Sequence, residues 1–187
     1  MHPQQVQGRM LVMARQRALE ERLTLDVFTS LLNHQGMAQK RQGLLAQGVG
    51  GFFFSIERDD FKKINDTWGH GVGDALLREV AAELRGVFDQ GALTSRMGGD
   101  EFAAFMTGTV EWGQAAPKAR RLLADLGRIN PGSQGLCASI GIAQAPRDGA
   151  SFQALYQAAD EAMYRAKAQG KNRFCFAEAS PVKGLEG

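Results

Sequence analysis

The sequence has few cysteines and no long apolar run. Its 187 residues include 2 cysteines, Cys137 and Cys175, and each lies in an apolar stretch of strand-like composition. Such sparse cysteines favour reduced core thiols in a cytosolic protein over a disulfide framework. No apolar run reaches the length that a membrane-spanning helix needs, and no signal peptide is visible. We therefore expect a cytoplasmic chain, with no membrane contact in this segment.

The chain also has little net charge. Its 22 basic and 20 acidic residues leave a formal charge of +2 at pH 7, which is too balanced to indicate a nucleic-acid polymer or a membrane surface as partner. With 44% hydrophobic residues and neither internal repeats nor low-complexity tracts, the composition indicates one globular domain with a sizeable core.

Apolar residues at helical spacing predict an N-terminal helix over Arg9 to Leu25. One interpretation is the end of a coiled coil that relays a signal from an upstream sensor domain, and the alternative is an ordinary helix packed on its own domain. The stretch holds too few heptads to separate the two. We predict residues 1–24 as linker and signalling helix, residues 25–177 as the globular domain and residues 178–187 as a polar tail.

Strand-like and helical patterns predict the architecture of the domain. Gly51 to Glu57 is a continuous apolar run of strand length, as expected for a central strand buried on both faces. Further strands are predicted on either side of a Gly-Gly pair, at 136–143 and at 173–177. One helix is predicted to end near residue 47, and three more are predicted over 72–88, 113–128 and 151–168. A β-hairpin among helix-linked strands implies an α+β fold, a mixed sheet with helices packed on it in a palm-like sandwich.

The stretch Arg96 to Phe102 has the composition of a tight β-hairpin turn, with strand-like residues on either side of Gly98 and Gly99. The glycines leave room for a bulky ligand near the backbone. The neighbouring acids Asp100 and Glu101 repel each other unless a cation lies between them. The pattern indicates a metal-assisted phosphate site, although for an isolated five-residue match a Gly-Gly turn with solvated acids is the more common explanation.

Acidic residues also follow the predicted central strand. Glu57, Asp59 and Asp60 emerge at its carboxyl end, which is where open α/β sheets bind ligands. Taken alone, such a charge run is more often a solvated loop. A glycine-rich turn, Thr67 to Asp74, comes next, and the helical pattern resumes around its end.

Taken together, these motifs resemble the GGDEF diguanylate cyclase domain over Asp26 to about Phe176. Each motif is weak alone, but their joint occurrence in this order and at this spacing is specific. The resemblance implies a central sheet wrapped by helices, with the signature on a hairpin. The matching motifs are Phe61 to Asp66, Gly69-His70, Gly73-Asp74, Gly98 to Phe102, Ser139 to Gly141, Ala159 to Lys167 and Gly170 to Arg173.

By this resemblance the chain condenses two GTP molecules into cyclic di-GMP and releases two pyrophosphates. The reaction is attack of a ribose 3′-hydroxyl on an α-phosphate, and two Mg²⁺ ions per active site suit it because they polarise phosphoryl oxygens. The family pattern makes Glu57 and Asp100 metal ligands. The Arg58 carbonyl and Glu101 contribute to the same site, and Asp100 also helps to deprotonate the hydroxyl. Because two GTP molecules must face each other across two half-sites, the resemblance implies a homodimer.

The resemblance also assigns the recognition of guanine. Asn65 and Asp74 match the positions that bind the base, and a carboxylate can accept hydrogen bonds from the N1 and N2 hydrogens of guanine. The alternative for Asp74 is the N-cap of a helix that begins at Ala75, and the two roles are compatible.

Three lysines, Lys62, Lys167 and Lys171, match positions that hold the triphosphate. Lys171 stands where arginine is common, and a lysine acts as a point charge without the bidentate fork of arginine. Gly98 and Gly99 leave the backbone open to the same substrate.

Three residues depart from the family pattern. Glu57 replaces an aspartate, and we expect reduced activity because misplacement on the ångström scale can cost about 100-fold in rate. Arg58 replaces an apolar residue, but only its carbonyl is needed at the metal. Ser30 replaces a glycine of the entrance motif. Asp26 and Arg96 match a pair that ties the domain entrance to the hairpin, a structural or regulatory role.

Many relatives carry Arg-x-x-Asp just before the signature, and this arginine binds product phosphates through bidentate hydrogen bonds. Here Asp89 and Ala92 occupy the two positions. Because an anion stands where the cation should be, we predict no inhibitory product site in this loop. Cyclic di-GMP would then bind only at the substrate site.

Three functions remain open at this point. The first is an active cyclase that works as a homodimer. The second is an effector that binds GTP or cyclic di-GMP in a weakened substrate site, which Glu57 favours. The third is an interaction domain without a ligand, which would leave Asn65, Asp74, Asp100 and Glu101 without a common purpose.

Overall fold

The secondary structure forms close to the predicted positions in a computed structural model of the chain. The described residues are 3–60, 63, 66–67, 69–88, 91–108, 111–129 and 135–177. Within them the helices are α1 (Pro3–Leu23), α2 (His34–Ala46), α3 (His70–Val87), α4 (Trp112–Arg128) and α5 (Phe152–Ala168). The strands are β1 (Gly51–Arg58), β2 (Leu93–Gly98), β3 (Glu101–Thr107), β4 (Ala138–Ala145) and β5 (Arg173–Phe176).

The strands form one mixed sheet in the order β2-β3-β1-β4-β5. β1 pairs antiparallel with β3 and β4, β2 and β3 form the predicted hairpin, and β5 runs parallel to β4. β1 is therefore the central strand, and its residues from Gly51 to Ile56 are all buried. This confirms the prediction made from its uninterrupted apolar run.

Helices cover both faces of the sheet. Phe52, Phe54 and Ile56 of β1 are buried with residues of α3 and α4, whereas Phe53 is buried with residues of α2 and α5. Alternate residues of a strand point to opposite faces, so the apolar run of β1 contributes to two cores. The mixed sheet between helical layers, with the signature on a hairpin, confirms the predicted α+β architecture.

Close packing of α5 on β4 sets the position of this helix above the sheet. A side chain at Gly141 of β4 would overlap the carbonyl oxygen of Ala159 in α5. Only glycine therefore allows this approach of helix and strand. The contact brings the side chains of α5 over the carboxyl end of β1, where the predicted metal ligands lie.

Helix α3 begins earlier than predicted. Its first residue is His70 and its N-cap is Gly69, with a φ of 82°, so part of the predicted glycine-rich turn is the first turn of the helix. Asp74 is then the fifth residue of the helix, and its alternative assignment as the N-cap is wrong. Glycines lower the helix propensity of this turn, but burial of Leu76 and Leu77 in the core outweighs that preference.

The large apolar side chains of α1 whose burial the structure describes are exposed. Leu11 is 74% exposed, Leu19 55% and Leu23 66%, so the helix does not bury them against its own domain. The alternative of an ordinary packed N-terminal helix is therefore wrong, and the relay from an upstream domain stays a prediction. None of the described helices is apolar over a sufficient length to cross a membrane.

Both cysteines are free thiols, as predicted. Cys175 is buried in β5. Cys137 is half-buried rather than in the core, and it directly precedes β4, which begins at Ala138 rather than at the predicted position 136.

Candidate functional site

The carboxyl end of β1 meets the tip of the β2–β3 hairpin. Glu57 of β1 lies opposite Glu101 of β3, and the Arg58 amide donates to the Asp100 carbonyl oxygen at 3.3 Å. Antiparallel pairing of the two strands thus brings together acids that belong to separate sequence motifs. All four predicted metal-site residues share this end of the sheet.

The hairpin turn is open on its outer side. Gly99 has a left-handed φ of 49°, a conformation that favours glycine. Within the described part of the chain, no heavy atom beyond the two adjacent residues lies within 4 Å of a Cβ built at Gly98 or Gly99. The backbone of the turn is therefore accessible to a large ligand, as the two glycines predict.

An arginine fixes this turn to the domain entrance. Arg96 donates two hydrogen bonds to the Gly99 carbonyl oxygen, from Nε at 2.9 Å and from Nη2 at 2.8 Å. Its Nη1 donates to Asp26 Oδ2 at 3.2 Å. The two side chains of the ion pair are only 13% and 16% exposed. Asp26 also accepts hydrogen bonds from the amide and the hydroxyl of Thr29. The structure thus contains the Asp26–Arg96 pair that the family pattern implied.

Ser30, in the same entrance loop, has a φ of 57°. This left-handed conformation costs a residue with a side chain about 1 kcal/mol or more, and glycine adopts it without that penalty. A serine therefore occupies a backbone position whose conformation favours glycine.

Lys167 of α5 forms an ion pair with Glu57, donating from Nζ to Oε1. The lysine side chain is 27% exposed and the glutamate side chain 28%. A glutamate carries its carboxylate one methylene farther from the strand than an aspartate, which extends it towards α5. The predicted triphosphate-binding lysine and the predicted metal ligand are therefore direct partners.

Glu101 accepts a hydrogen bond at Oε1 from the hydroxyl of Tyr156 in α5. Burial raises the pKa of Glu101, against the effect of this hydrogen bond, and the charges of Asp160, Glu57 and Asp100 raise it further. Burial also raises the pKa of Tyr156, together with the Glu101 contact. Tyr156 was not predicted as a site residue, because an aromatic residue within an amphipathic helix gives the same sequence signal as a core residue.

The acids that follow β1 differ in their surroundings. Asp59 is buried and accepts hydrogen bonds from Ser139 Oγ at 2.9 Å and from the Asn172 amide at 3.0 Å, so it joins the loop after β1 to β4 and to the start of β5. Asp60 accepts from Lys171 Nζ at 3.0 Å with both carboxylate oxygens. This hydrogen bond lowers the pKa of Asp60 and raises the pKa of Lys171. The simple expectation of a solvated charge run is thus wrong for Asp59.

The side chain of Arg58 is also part of the structure, not only its carbonyl. It is 2% exposed, on the face of β1 opposite to Glu57. Burial lowers the pKa of Arg58 to about 10, the charge of Asp100 opposes this shift, and the charge of Arg96 adds to it. A buried positive charge therefore lies within electrostatic range of the Asp100 side chain.

The structure describes only part of the predicted substrate site. Lys62 and Asn65 lie outside the described residues, and so does Asp89 of the predicted feedback loop. Asp74 is half-buried in α3. The structure therefore locates one of the two predicted guanine-binding residues and two of the three predicted phosphate-binding lysines.

The described residues contain no group of three or more His, Cys, Asp or Glu side chains arranged around one metal position. Magnesium in nucleotide sites is typically held by one or two carboxylates, with water and substrate phosphates as its other ligands. Glu57, Asp100 and the Arg58 carbonyl are oxygen donors of this kind at one end of the sheet. The donor set therefore fits magnesium brought in with a nucleotide.

The family described as "Diguanylate cyclase, GGDEF domain" matches residues 23–173. The bifunctional diguanylate cyclase/cyclic di-GMP phosphodiesterase MucR of Pseudomonas aeruginosa is 40% identical over 128 residues, which cover 67% of this chain and 18% of MucR. Diguanylate cyclase TpbB of the same species is 35% identical over 135 residues, covering 70% of this chain and 31% of TpbB. The cyclic di-GMP phosphodiesterase PdeR of Escherichia coli is 35% identical over 125 residues, covering 64% of this chain and 18% of PdeR. The chain spans less than a third of each of these relatives.

Solved structures show the same fold. The isolated GGDEF domain of TpbB superposes with a TM-score of 0.76 at 32% identity, covering 83% of this chain and 95% of that domain. The GGDEF domain of DgcB from Caulobacter crescentus, solved in complex with cyclic di-GMP, has a TM-score of 0.73 at 26% identity and covers 83% of this chain and 94% of that domain. These similarities confirm the predicted palm-like fold of nucleotidyl cyclases.

Proposed function

The chain belongs to the GGDEF family of diguanylate cyclase domains, and on that premise we propose that it condenses two GTP molecules into cyclic di-GMP with release of two pyrophosphates. Family membership supports a role in cyclic di-GMP signalling. One observation carries the proposal: Glu57 and the Asp100–Glu101 pair, from separate motifs, meet at the open Gly98–Gly99 turn.

The acids of this site are the proposed metal ligands. Glu57, Asp100 and the Arg58 carbonyl would hold Mg²⁺, two ions per active site, with Glu101 contributing to the same set. When bound, the ions neutralise phosphate charge and stabilise the attacking and leaving oxygens of phosphoryl transfer. Asp100 is the proposed acceptor of the proton from the 3′-hydroxyl, and it lies within electrostatic range of the buried Arg58 side chain.

The lysines of the site are the proposed phosphate-binding groups. Lys167 and Lys171 lie at the same end of the sheet as Glu57 and Asp60, with which they form ion pairs. Lys62 is proposed to join them. Each lysine supplies a point charge to the triphosphate and must exchange its carboxylate partner for a phosphate oxygen when GTP binds.

Asp74, together with Asn65, is proposed to recognise guanine. Asp74 is half-buried in α3, and its carboxylate can accept the N1 and N2 hydrogens that adenine lacks in this arrangement. ATP should therefore be a poor substrate, and Asp74→Ala should raise the KM for GTP.

Catalysis is proposed to need a homodimer, since each domain supplies one half-site and the two GTP molecules must meet. The exposed apolar side chains of α1 are the proposed connection between subunits and to an upstream sensor domain. In this view residues 25–177 form the catalytic domain, as the sequence motifs predict.

The second candidate is an effector that binds GTP or cyclic di-GMP at the substrate site without efficient turnover. The Glu57–Lys167 ion pair favours it, because it removes a carboxylate from the metal site and a lysine from the phosphate site together. Titration calorimetry with each nucleotide would then show binding that is lost in Asp74→Ala, without product formation.

Incubation with GTP and Mg²⁺, followed by mass spectrometry for cyclic di-GMP and pyrophosphate, separates the two candidates. Asp100→Ala should abolish product while the circular dichroism spectrum stays unchanged, and Glu161→Ala on the exposed surface of α5 serves as the matched control. Undiminished product in Asp100→Ala would contradict the cyclase assignment.

A further inference from the structure

We propose that Tyr156 is a positioning residue that holds the Glu101 carboxylate beside Glu57 and Asp100, an inference that rests on the proposed function. The hydroxyl of Tyr156 donates to Oε1 of Glu101. This contact occupies one carboxylate oxygen of Glu101 and leaves the other oxygen available to the proposed metal site.

The ring of Tyr156 is held in a fixed orientation. It stacks on Phe152 with 6.0 Å between ring centroids and an interplanar angle of 24°. It also makes edge contacts with Phe53 at 6.1 Å and with His34 at 6.2 Å. Because these contacts come from α5, β1 and α2, the hydroxyl is presented to Glu101 from a rigid aromatic cluster rather than from a mobile side chain.

Glu101 needs such a partner because its neighbours are acids. It lies opposite Glu57 in the strand register, and the charges of Asp160, Glu57 and Asp100 all act on it. Without a donor, a carboxylate among like charges would turn towards solvent. The Tyr156 hydroxyl supplies a hydrogen bond to the ionised group, the type that contributes most to holding a geometry.

Tyr156 and Lys167 lie on one face of α5, and each contacts one acid of the site. Residues at positions 156, 160, 163 and 167 are spaced at i, i+4, i+7 and i+11 and share one helix face. Lys167 binds Glu57 and Tyr156 binds Glu101, so one helix orients the acids of two adjacent strands.

The test compares Tyr156→Phe with Tyr164→Phe in the full chain. Both substitutions remove only a hydroxyl from the same helix, and Tyr164 is 72% exposed. We expect Tyr156→Phe to lower kcat about tenfold with an unchanged KM for GTP, because one hydrogen bond to a charged group is lost while the nucleotide contacts stay. Tyr164→Phe should match the unsubstituted chain.

A double-mutant cycle with Glu101→Ala, which removes the acceptor of the Tyr156 hydroxyl, separates positioning from general packing. If the hydroxyl acts through Glu101, Tyr156→Phe should have no further effect on kcat in the Glu101→Ala background. The same tenfold loss in that background, or a Tyr156→Phe enzyme that matches Tyr164→Phe, would overturn the proposal. An unfolded Tyr156→Phe chain by circular dichroism would overturn it as well, because the hydroxyl would then serve folding.

A second readout does not depend on turnover. Binding of Mn²⁺ in the presence of a non-hydrolysable GTP analogue is measured from the electron paramagnetic resonance signal of the free ion. Tyr156→Phe should weaken Mn²⁺ binding about tenfold, and Tyr164→Phe should not. If the unsubstituted chain makes no cyclic di-GMP, the cyclase proposal fails, and this measurement still decides the role of Tyr156. Equal Mn²⁺ affinity in the two variants would exclude it.

Discussion

Lys167 of α5 donates to Glu57 at the carboxyl end of β1, across 110 residues of sequence. The two residues match positions with different tasks, one towards the triphosphate and one towards the metal. If Lys167 binds the triphosphate and Glu57 binds the metal, as proposed, nucleotide and metal should bind together, because each releases the side chain that the other needs. This coupling makes the substitutions at the two positions informative.

Glu57→Asp should raise the rate of cyclic di-GMP formation several-fold. The shorter side chain withdraws the carboxylate from Lys167 and places it where the family pattern has its aspartate. Glu57→Ala should lower the rate, since it removes the ligand altogether. The initial rate at saturating GTP and Mg²⁺ checks both, with Glu161→Asp on the exposed surface of α5 as control. If neither substitution at position 57 changes the rate, this residue is not a metal ligand.

Lys167→Met should raise the KM for GTP about tenfold, because a charge-assisted contact to phosphate is lost. Its effect on the free energy of unfolding should stay within about 1 kcal/mol, since a partly exposed ion pair contributes little to stability. Steady-state kinetics and urea denaturation measure the two quantities. Lys40→Met, an exposed lysine of α2, is the matched control. A large loss of stability with an unchanged KM would assign Lys167 a purely structural role.

Glu101→Gln should flatten the dependence of stability on pH. The pKa of Glu101 is raised in the folded state, chiefly by burial, so the folded chain binds its proton more readily than the unfolded chain. The free energy of unfolding of the unsubstituted chain therefore falls as pH rises from the ordinary carboxyl pKa through the raised one. The glutamine variant lacks this titrating group. Between acidic and neutral pH it should therefore lose less of its free energy of unfolding than the unsubstituted chain. Denaturation at a series of pH values tests this, with Glu161→Gln as control. If the free energy of unfolding of Glu101→Gln changes with pH in parallel with that of the unsubstituted chain, the prediction is wrong.

Activity per subunit should fall on dilution, because two half-sites must meet and the exposed face of α1 offers a limited interface. Leu19→Gln should move this loss to higher protein concentration, since it removes apolar surface from α1, and Leu19→Met should not. Light scattering at each concentration reports the oligomeric state. A monomer whose rate is strictly linear in protein concentration down to nanomolar levels would contradict the homodimer.

Local patterns in the sequence determined the main elements of the fold. The apolar run from Gly51 to Ile56 predicts a strand buried on both faces, and the glycine pair before Asp100 predicts the hairpin that the structure contains. These features depend on side-chain periodicity and turn chemistry within about ten residues, which are readable without knowledge of the fold. The joint order of the motifs was sufficient to identify the family, and with it the Asp26–Arg96 pair.

The tertiary structure alone decided how the site residues pair with each other. Tyr156 binds Glu101 from a distance of 55 residues in sequence, and Lys167 binds Glu57 from 110. Both contacts exist because α5 packs closely on β4 at Gly141, and no local propensity encodes that approach. The side chain of Arg58 was expected to be unimportant, yet the alternation of β1 places it in the core beneath the hairpin tip. Local sequence thus determines which elements form, whereas long-range packing determines which charges neutralise each other.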